Sequence, residues 1–333
     1  MDYNQILKDL KNKVYHPVYF LTGEEPYYID LIADYIEEKV LDEAEKDFNQ
    51  TVLYGKETDI TTIVSEAKRY PMMANHNVVI VKEAQHLSRE IEKLEPYLDN
   101  PTSSTILVFC YKYKKVDGRK SIGKKLKKNA VFLETKKLYD NQVPDWIVKF
   151  LKAKNYDITP QASLLIAEFV GTDLSKIVNE LNKLTINIPS GNTIDPKAVE
   201  ENIGISKDYN NFELNKALGK KDILKANQII LHFSKNEKEH PLVVTIGMLY
   251  TYFTNILKVH YAKDKTQNGL AAVLGVHPFF VQDYTAAARN YNIKKAVKII
   301  EYLRDYDLKS KGVNNVSTTN GELLKELIFK ILH

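Results

Sequence analysis

A single cysteine in 333 residues rules out an intramolecular disulfide, so no disulfide framework holds this chain. Cys110 follows the apolar stretch Thr105-Ile106-Leu107-Val108-Phe109 and is expected to be a buried strand residue rather than a reactive thiol. The eight histidines show no H-E-x-x-H or other paired spacing. His232 and His240 read as helix-end residues, and neither a metal site nor any other cofactor is expected. No G-x-S-x-G elbow marks a hydrolase nucleophile. The opening Met1-Asp2-Tyr3-Asn4 lacks the basic and apolar character of a leader, and no apolar run reads as long enough to span a bilayer. A cytoplasmic chain with no membrane partner is expected.

The most telling absence lies in residues 19–30, Tyr-Phe-Leu-Thr-Gly-Glu-Glu-Pro-Tyr-Tyr-Ile-Asp. They follow an apolar strand and precede an amphipathic helix, where a phosphate-binding loop would stand. Such a loop needs glycines that let backbone N–H groups wrap phosphates, and a lysine to reach the outer ones. Here Gly23 is followed by Glu24, Glu25 and Pro26. The two carboxylates repel an anion, and proline removes a donor. The strand Val78 to Val81 then ends in Lys82-Glu83-Ala84-Gln85, and Lys82 stands where a nucleotidase of this architecture places the aspartate that holds magnesium. The geometry is that of a nucleotide-binding fold, and the residues argue that it binds none.

What is present is ordinary globular usage, 44% hydrophobic and 27% charged, in a chain long enough for two or three domains. The net charge of +4 is mild, so its distribution carries more than its sum. Between residues 112 and 128 stand Lys112, Lys114, Lys115, Arg119, Lys120, Lys124, Lys125, Lys127 and Lys128, opposed along the chain only by Asp117. This run reads either as a solvated face or as a surface for nucleic acid or an acidic partner.

Strand and helix patterns alternate up to about residue 140. Val18 to Leu21, Phe48 to Leu53, Val78 to Val81, Ile106 to Phe109 and Val131 to Leu133 read as strands. Tyr28 to Val40, with Ile29, Ile32, Ala33 and Ile36 on one face, and Ile60 to Ala67, capped by Asp59 or Thr61, read as helices. Apolar strands alternating with helices imply a parallel sheet covered on both faces. After Leu138-Tyr139-Asp140 the strands stop. A helix from Pro144 to Lys152 is expected to face Trp146, Ile147 and Phe150 inward. Thr159-Pro160 opens another, and Leu174, Ile177, Val178, Leu181 and Leu184 form the stripe of a third. From about Tyr209 the chain is again helical. Its longest helix, from Pro241 to Tyr261, carries Leu242, Ile246, Leu249, Tyr250, Phe253, Ile256 and Leu257, a face broad enough for a core, for a subunit interface, or for both.

Taken in order, these segments resemble the delta subunit family of the bacterial DNA polymerase III clamp loader. The resemblance rests on Val18-Tyr19-Phe20-Leu21-Thr22-Gly23-Glu24-Glu25, on residues 70–82 from Tyr70-Pro71-Met72-Met73 to Val81-Lys82, and on Gly171-x-Asp173-Leu174 with Asn179-Glu180-Leu181-x-Lys183-Leu184. It continues through Phe212-x-Leu214-x-x-Ala217-Leu218, Pro241-Leu242 ahead of Gly247-Met248-Leu249, and Leu274-Gly275-Val276-His277-Pro278-Phe279. No single motif decides it; their order and spacing over nearly the whole chain carry it.

The resemblance implies an α/β region followed by an all-α one. Residues 1–140 would be the RecA-like domain of a degenerate AAA+ module, 141–208 a small helical lid and 209–333 a helical collar. It implies a subunit without a catalytic site, within a holoenzyme classed as a DNA-directed DNA polymerase, that grips the sliding clamp (the beta subunit) and promotes its opening for loading onto primed DNA. Motor subunits and a delta-prime subunit would join it through the collar. The clamp-binding element would be Pro71, Met72, Met73, Ala74 and Asn75, with the two methionines entering a clamp pocket. Family members often carry Leu or Phe at those two places, and thioethers fill an apolar groove well. By residue type alone, two Met between a helix and a strand read as core. Gly23, Glu24, Glu25 and Lys82 mark the degenerate nucleotide site. Lys112, Lys114, Lys115, Arg119, Lys124 and Lys125 are the candidate DNA contacts. No Ser-Arg-Cys element supplies an arginine finger, which argues against a catalytic role in trans. A divergent P-loop ATPase and a DNA-binding replication or repair factor are the rival readings.

Overall fold

Runs of β-branched and aromatic residues form the strands of the first unit, and alternate side chains of each run enter opposite cores. The computed structural model describes residues 2–204, 206 and 208–333, and the chain divides into two compact units, Met1–Leu138 and Tyr139–His333. The first unit runs α1 (Tyr3–Lys11), β1 (Val18–Gly23), α2 (Pro26–Lys39), α3 (Glu43–Asn49), β2 (Gln50–Tyr54), α4 (Ile60–Ala67), β3 (Asn77–Lys82), α5 (Glu95–Asp99), β4 (Thr105–Lys112), α6 (Ser121–Asn129) and β5 (Val131–Thr135). The strands pair in parallel in the order β2-β3-β4-β1-β5. Val18, Phe20, Val79, Val81, Leu107 and Phe109 pack on one face with residues of α4 and α6. Tyr19, Leu21, Val78, Ile80, Ile106 and Val108 pack on the other with residues of α1 and α2. This is the doubly covered parallel sheet expected of a RecA-like domain.

Local chemistry sets the ends of these helices. Asp59 accepts the N–H of Thr62 at 2.7 Å and starts α4, and Glu25 caps α2 ahead of Pro26. One expected strand begins later than its composition suggests. Asp42 and Glu45 form a reciprocal capping box, which nucleates a short helix through Asn49, so the strand starts at Gln50 and not at Phe48. Phe48 is 63% exposed on that helix.

The second unit runs α7 (Val143–Lys152), β6 (Asp157–Ile158), α8 (Pro160–Val170), α9 (Leu174–Asn187), β7 (Thr193–Ile194), α10 (Pro196–Ile203), α11 (Asn211–Lys220), α12 (Ile223–Lys235), α13 (Leu242–Tyr261), α14 (Gln267–Leu274), α15 (Val281–Asn290), α16 (Ile293–Ser310) and α17 (Asn320–Leu332). It holds the residues of both expected helical sections, and the expected boundary at 208–209 follows Ile205 and Lys207, which lie outside the described residues. Strands do not stop entirely at residue 140. The two-residue strands β6 and β7 pair in parallel and bury Ile194, and they are too short to leave a periodic signal. In α7 the inward residues are Val143, Ile147 and Leu151, spaced four apart, while Trp146 and Phe150 stack on each other half-buried. The last seven helices share one core, from Leu214 to Ile331.

α13 corrects the expectation that no run reaches bilayer length. It is 20 residues long, with a mean hydropathy of 1.4 over its most apolar window. Thr245, Asn255 and Lys258 break up the apolar run in the sequence, yet the helix as a whole stays strongly apolar. Leu242, Ile246, Leu249, Phe253 and Ile256 lie in the shared helical core, and about half of the helix is buried, so burial within the helical core accounts for its apolar character.

Candidate functional site

The turn after β1 is closed by its own chain. Gly23 has φ +132°, in the region that favours glycine, and a Cβ there would overlap the carbonyl of Thr135 at the end of β5. The Glu24 N–H donates to that carbonyl at 3.1 Å, the Glu25 N–H to the Thr135 hydroxyl at 3.3 Å, and that hydroxyl donates onward to the Glu25 carbonyl at 2.9 Å. Two donors that a phosphate-binding loop would turn toward an anion are therefore already engaged. The Glu25 carboxyl is buried and accepts the Tyr27 N–H, so a side chain of the protein itself already fills the N-terminus of α2.

The carboxyl ends of β3 and β4 are held by ion pairs to α2. Lys82 lies 2.7 Å from Glu37, and Lys112 lies 2.5 Å from Asp30. Burial alone would lower the Lys82 pKa, but the hydrogen bond and charge of Glu37 carry it above the usual value. Burial, and then the charge of Asp30, raises Asp34 beside them. Lys82 thus places an ammonium, paired with Glu37, at the carboxyl end of β3. Among the described residues no group of three or more His, Cys, Asp or Glu could hold a metal. Cys110 is buried in β4, and burial pushes its thiol up to about 12, so it is no nucleophile at neutral pH.

The basic run is less basic in space than along the chain. Lys115 faces Glu24 and Glu134 at 3.7 and 3.3 Å, Lys120 reaches Glu92 at 2.7 Å, and Lys125 reaches Asp99 and Glu95 at 2.6 and 3.4 Å. Arg119 forks onto Asp117, whose carboxyl is lowered to about 2 by that guanidinium. Lys114 donates to the Gln85 carbonyl, and Lys127 lies over the Phe132 ring. Asp117 is the only acid within the run, but α2, α5 and their neighbours supply the others. Among the described residues, Lys124 and Lys128 on α6 have no ion pair.

The connection from α4 to β3 is built to project. Its start carries Tyr70, Met72 and Met73, all exposed, with Met72 at 57% and Met73 completely bare. Core packing, the expectation from residue type alone, is excluded for the pair. Pro71 and Ala74 are half-buried, Ala74 against the core shared with α1 and α2, and Asn75 is exposed. Met73 has φ +55°, a left-handed conformation that costs a non-glycine residue ~1 kcal/mol. Hydrogen bonds hold the loop in this form. Asn49 Oδ1 accepts the Met72 N–H at 2.6 Å, and Asn49 Nδ2 donates to the Met72 carbonyl at 2.9 Å. At the far end Asn77 Nδ2 donates to the Glu66 carbonyl at 2.9 Å, and the His76 ring meets Tyr15 edge-on.

The family model described as DNA polymerase III, delta subunit matches residues 19–136, and that of the DNA polymerase III delta subunit, C-terminal domain matches residues 208–328. A Bacillus subtilis (strain 168) protein, DNA polymerase III subunit delta, is 30% identical over 318 residues, spanning 92% of this chain and 91% of that one. The chain belongs to the DNA polymerase III delta subunit family. The solved structure of the Bacillus subtilis DNA clamp loader delta protein (YqeN) covers 99% of each chain at 27% identity, with a TM-score of 0.57. Thermotoga maritima RuvB structures match at 12% identity, one of them with a TM-score of 0.33 over 86% of this chain.

In this delta-family chain the structure brings Pro71 to Asn75 together on one projecting loop, and Gly23, Glu24 and Glu25 at one closed turn, with Lys82 ion-paired to α2 at the end of β3. It separates the six candidate DNA contacts into Lys112, Lys115, Arg119 and Lys125, which are ion-paired, Lys114, which is hydrogen-bonded, and Lys124. Asn49 does not stand out in the sequence, because it lies inside a stretch that reads as a strand and its partner is 23 residues away. The only local signal is a polar, non-branched residue near the start of that stretch.

Proposed function

We propose that this chain is the non-catalytic clamp-loader subunit that grips the sliding clamp of DNA polymerase III and promotes its opening for loading onto primed DNA in the cytoplasm. The observation that carries the reading is the exposed Met72 and Met73 pair on a loop whose backbone is fixed before any partner arrives. Two exposed thioethers on a preformed turn suit an apolar pocket, because little conformational freedom remains to be lost on binding. The closed turn after β1 and the Lys82 ion pair support a subunit that leaves nucleotide hydrolysis to others.

Residues 209–333 would form the collar that joins motor and delta-prime subunits, with residues 141–208 as the lid. The outer side of α13 supports this: Val243, Val244 and Tyr250 are exposed opposite its buried face, as on a helix that serves two interfaces. Of the six candidate contacts to primed DNA, Lys124 is the strongest, because it has neither an ion pair nor a side-chain hydrogen bond among the described residues, and Lys128, one turn further along α6, likewise lacks an ion pair. Titrating purified sliding clamp into the chain, without DNA or nucleotide, tests the reading. Saturable binding is expected, and its absence would overturn the proposal.

A further inference from the structure

The loop that carries the methionine pair depends on one side chain outside it. Asn49 closes α3 and is only 1% exposed. Each of its polar atoms has a partner. Oδ1 takes the Met72 N–H, and the two Nδ2 hydrogens go to the carbonyls of Met72 and Glu45, both at 2.9 Å. A carboxamide can receive an N–H and give one in the same plane, so toward Met72 it acts as the neighbouring strand would in a sheet. No other short side chain offers both groups: Asp lacks the donor, Ser lacks the planar spacing and Ala lacks both.

The mount is itself rigid. At the other end of α3 the capping box has the Asp42 N–H donating to Glu45 at 3.0 Å, and the Glu45 carbonyl is the second acceptor for Asn49. A seven-residue helix is thus tied at both ends, and its last side chain holds the backbone of the residue immediately before Met73. That hold also sustains the left-handed φ of Met73, a conformation a free loop would abandon.

We infer that Asn49 is a positioning residue for partner binding: it fixes the Met72 backbone so that both methionine side chains face outward before the partner arrives. This rests on the reading of the loop as the clamp-binding element. Asn49 itself touches no partner, and its contribution is the ordering of the loop in the free chain.

The test uses the full chain, with Asn49→Ala and Asn49→Asp. Titration against purified sliding clamp should show affinity falling about tenfold or more for Ala, the loss expected when a prearranged loop must order on binding. Asp should lose less, because it keeps the acceptor for the Met72 N–H. Amide exchange at Met72 in the free chain should quicken at least about tenfold in Ala and stay nearer to the parent in Asp, because protection there reports local opening. In a Met73→Ala background the further loss from Asn49→Ala should shrink, since part of what it positions is gone. If Ala fails to fold, the Asp variant carries both measurements. An unchanged affinity with Met72 exchange still slow would overturn the inference and leave the clamp reading standing. Failure of the parent chain to bind the clamp would overturn both.

Discussion

Replacing Met72 and Met73 together by alanine separates a binding pair from a packing pair, because the two roles move different quantities. A buried methionine side chain contributes ~1.5–3 kcal/mol. Met73 is bare, so all of this is available to a partner; Met72 keeps 57% of its surface exposed, so roughly half is. Together they offer ~2.5–4.5 kcal/mol, which corresponds to roughly two to three orders of magnitude in affinity. The fold should hardly respond. Neither side chain fills a core position, no cavity is left behind, and a surface truncation of this kind stays within ~0.5 kcal/mol, or about 1–2 °C in Tm for a chain of this size. Alanine is also compatible with the left-handed φ of residue 73 to the same degree as methionine. Calorimetric titration of the clamp and a thermal melt of the same preparation give both numbers. A double variant that binds with parental affinity, or one that melts many degrees early, refutes the reasoning.

Three further outcomes follow from the geometry. The isolated chain should show no saturable ATP–Mg²⁺ binding by calorimetry, because Thr135 closes the turn at Gly23 and Lys82 puts a positive charge at the end of β3; micromolar binding would contradict this. Reversing charge at Lys124 and Lys128 should lower the salt dependence of DNA-stimulated clamp loading by about one unit of slope for each phosphate no longer neutralised. The same change at the ion-paired Lys125 should instead disturb its contacts to Asp99 and Glu95, and equal effects on the salt slope at all three sites would refute the distinction. Glu168 on α8 accepts the Asn211 N–H at 2.8 Å, and burial pushes its pKa from 4.5 up to about 7. Because the folded chain holds this proton over a range where the unfolded chain releases it, the contribution to stability is fully present below about pH 4.5 and lost as pH rises through about 7, by at most ~3 kcal/mol. Glu168→Gln should therefore gain in Tm over the parent between pH 5 and pH 8, and a constant difference across that range would show that the carboxyl titrates normally.

The three inner strands β1, β3 and β4 are readable in the sequence because they are almost wholly buried, which leaves them little but β-branched, aromatic and other apolar residues. Helix starts are readable where one residue decides them, as at Thr159, whereas the sequence leaves Asp59 and Thr61 open as the cap of α4 and the structure shows Asp59. Other features depend on partners distant in the chain. The run from Lys112 to Lys128 looks nearly unopposed because Asp30, Glu92, Glu95, Asp99 and Glu134 reach it only after folding. Trp146 and Phe150 read as inward because six apolar side chains, Val143, Trp146, Ile147, Val148, Phe150 and Leu151, crowd α7, and only packing shows that the line through Val143, Ile147 and Leu151 is the buried one. The methionine pair stands out through family resemblance, since its residue types alone point to a core. The exposure of both side chains removes that alternative, and the amide that holds them cannot be found without the fold.

The seal between Gly23 and Thr135 bears on how the first unit can respond to signals. A ligand moves a protein between conformations only as far as it binds them unequally. On the proposed reading, a turn already bonded to its own sheet, beside strand ends tied to α2 by Lys82 and Lys112, gives nucleotide no such leverage. On that same reading, the part of the chain that carries the methionine loop is a fixed reference rather than a cycling part. Any change in its grip on a partner must enter through its outer surfaces, as force or displacement from whatever is docked there.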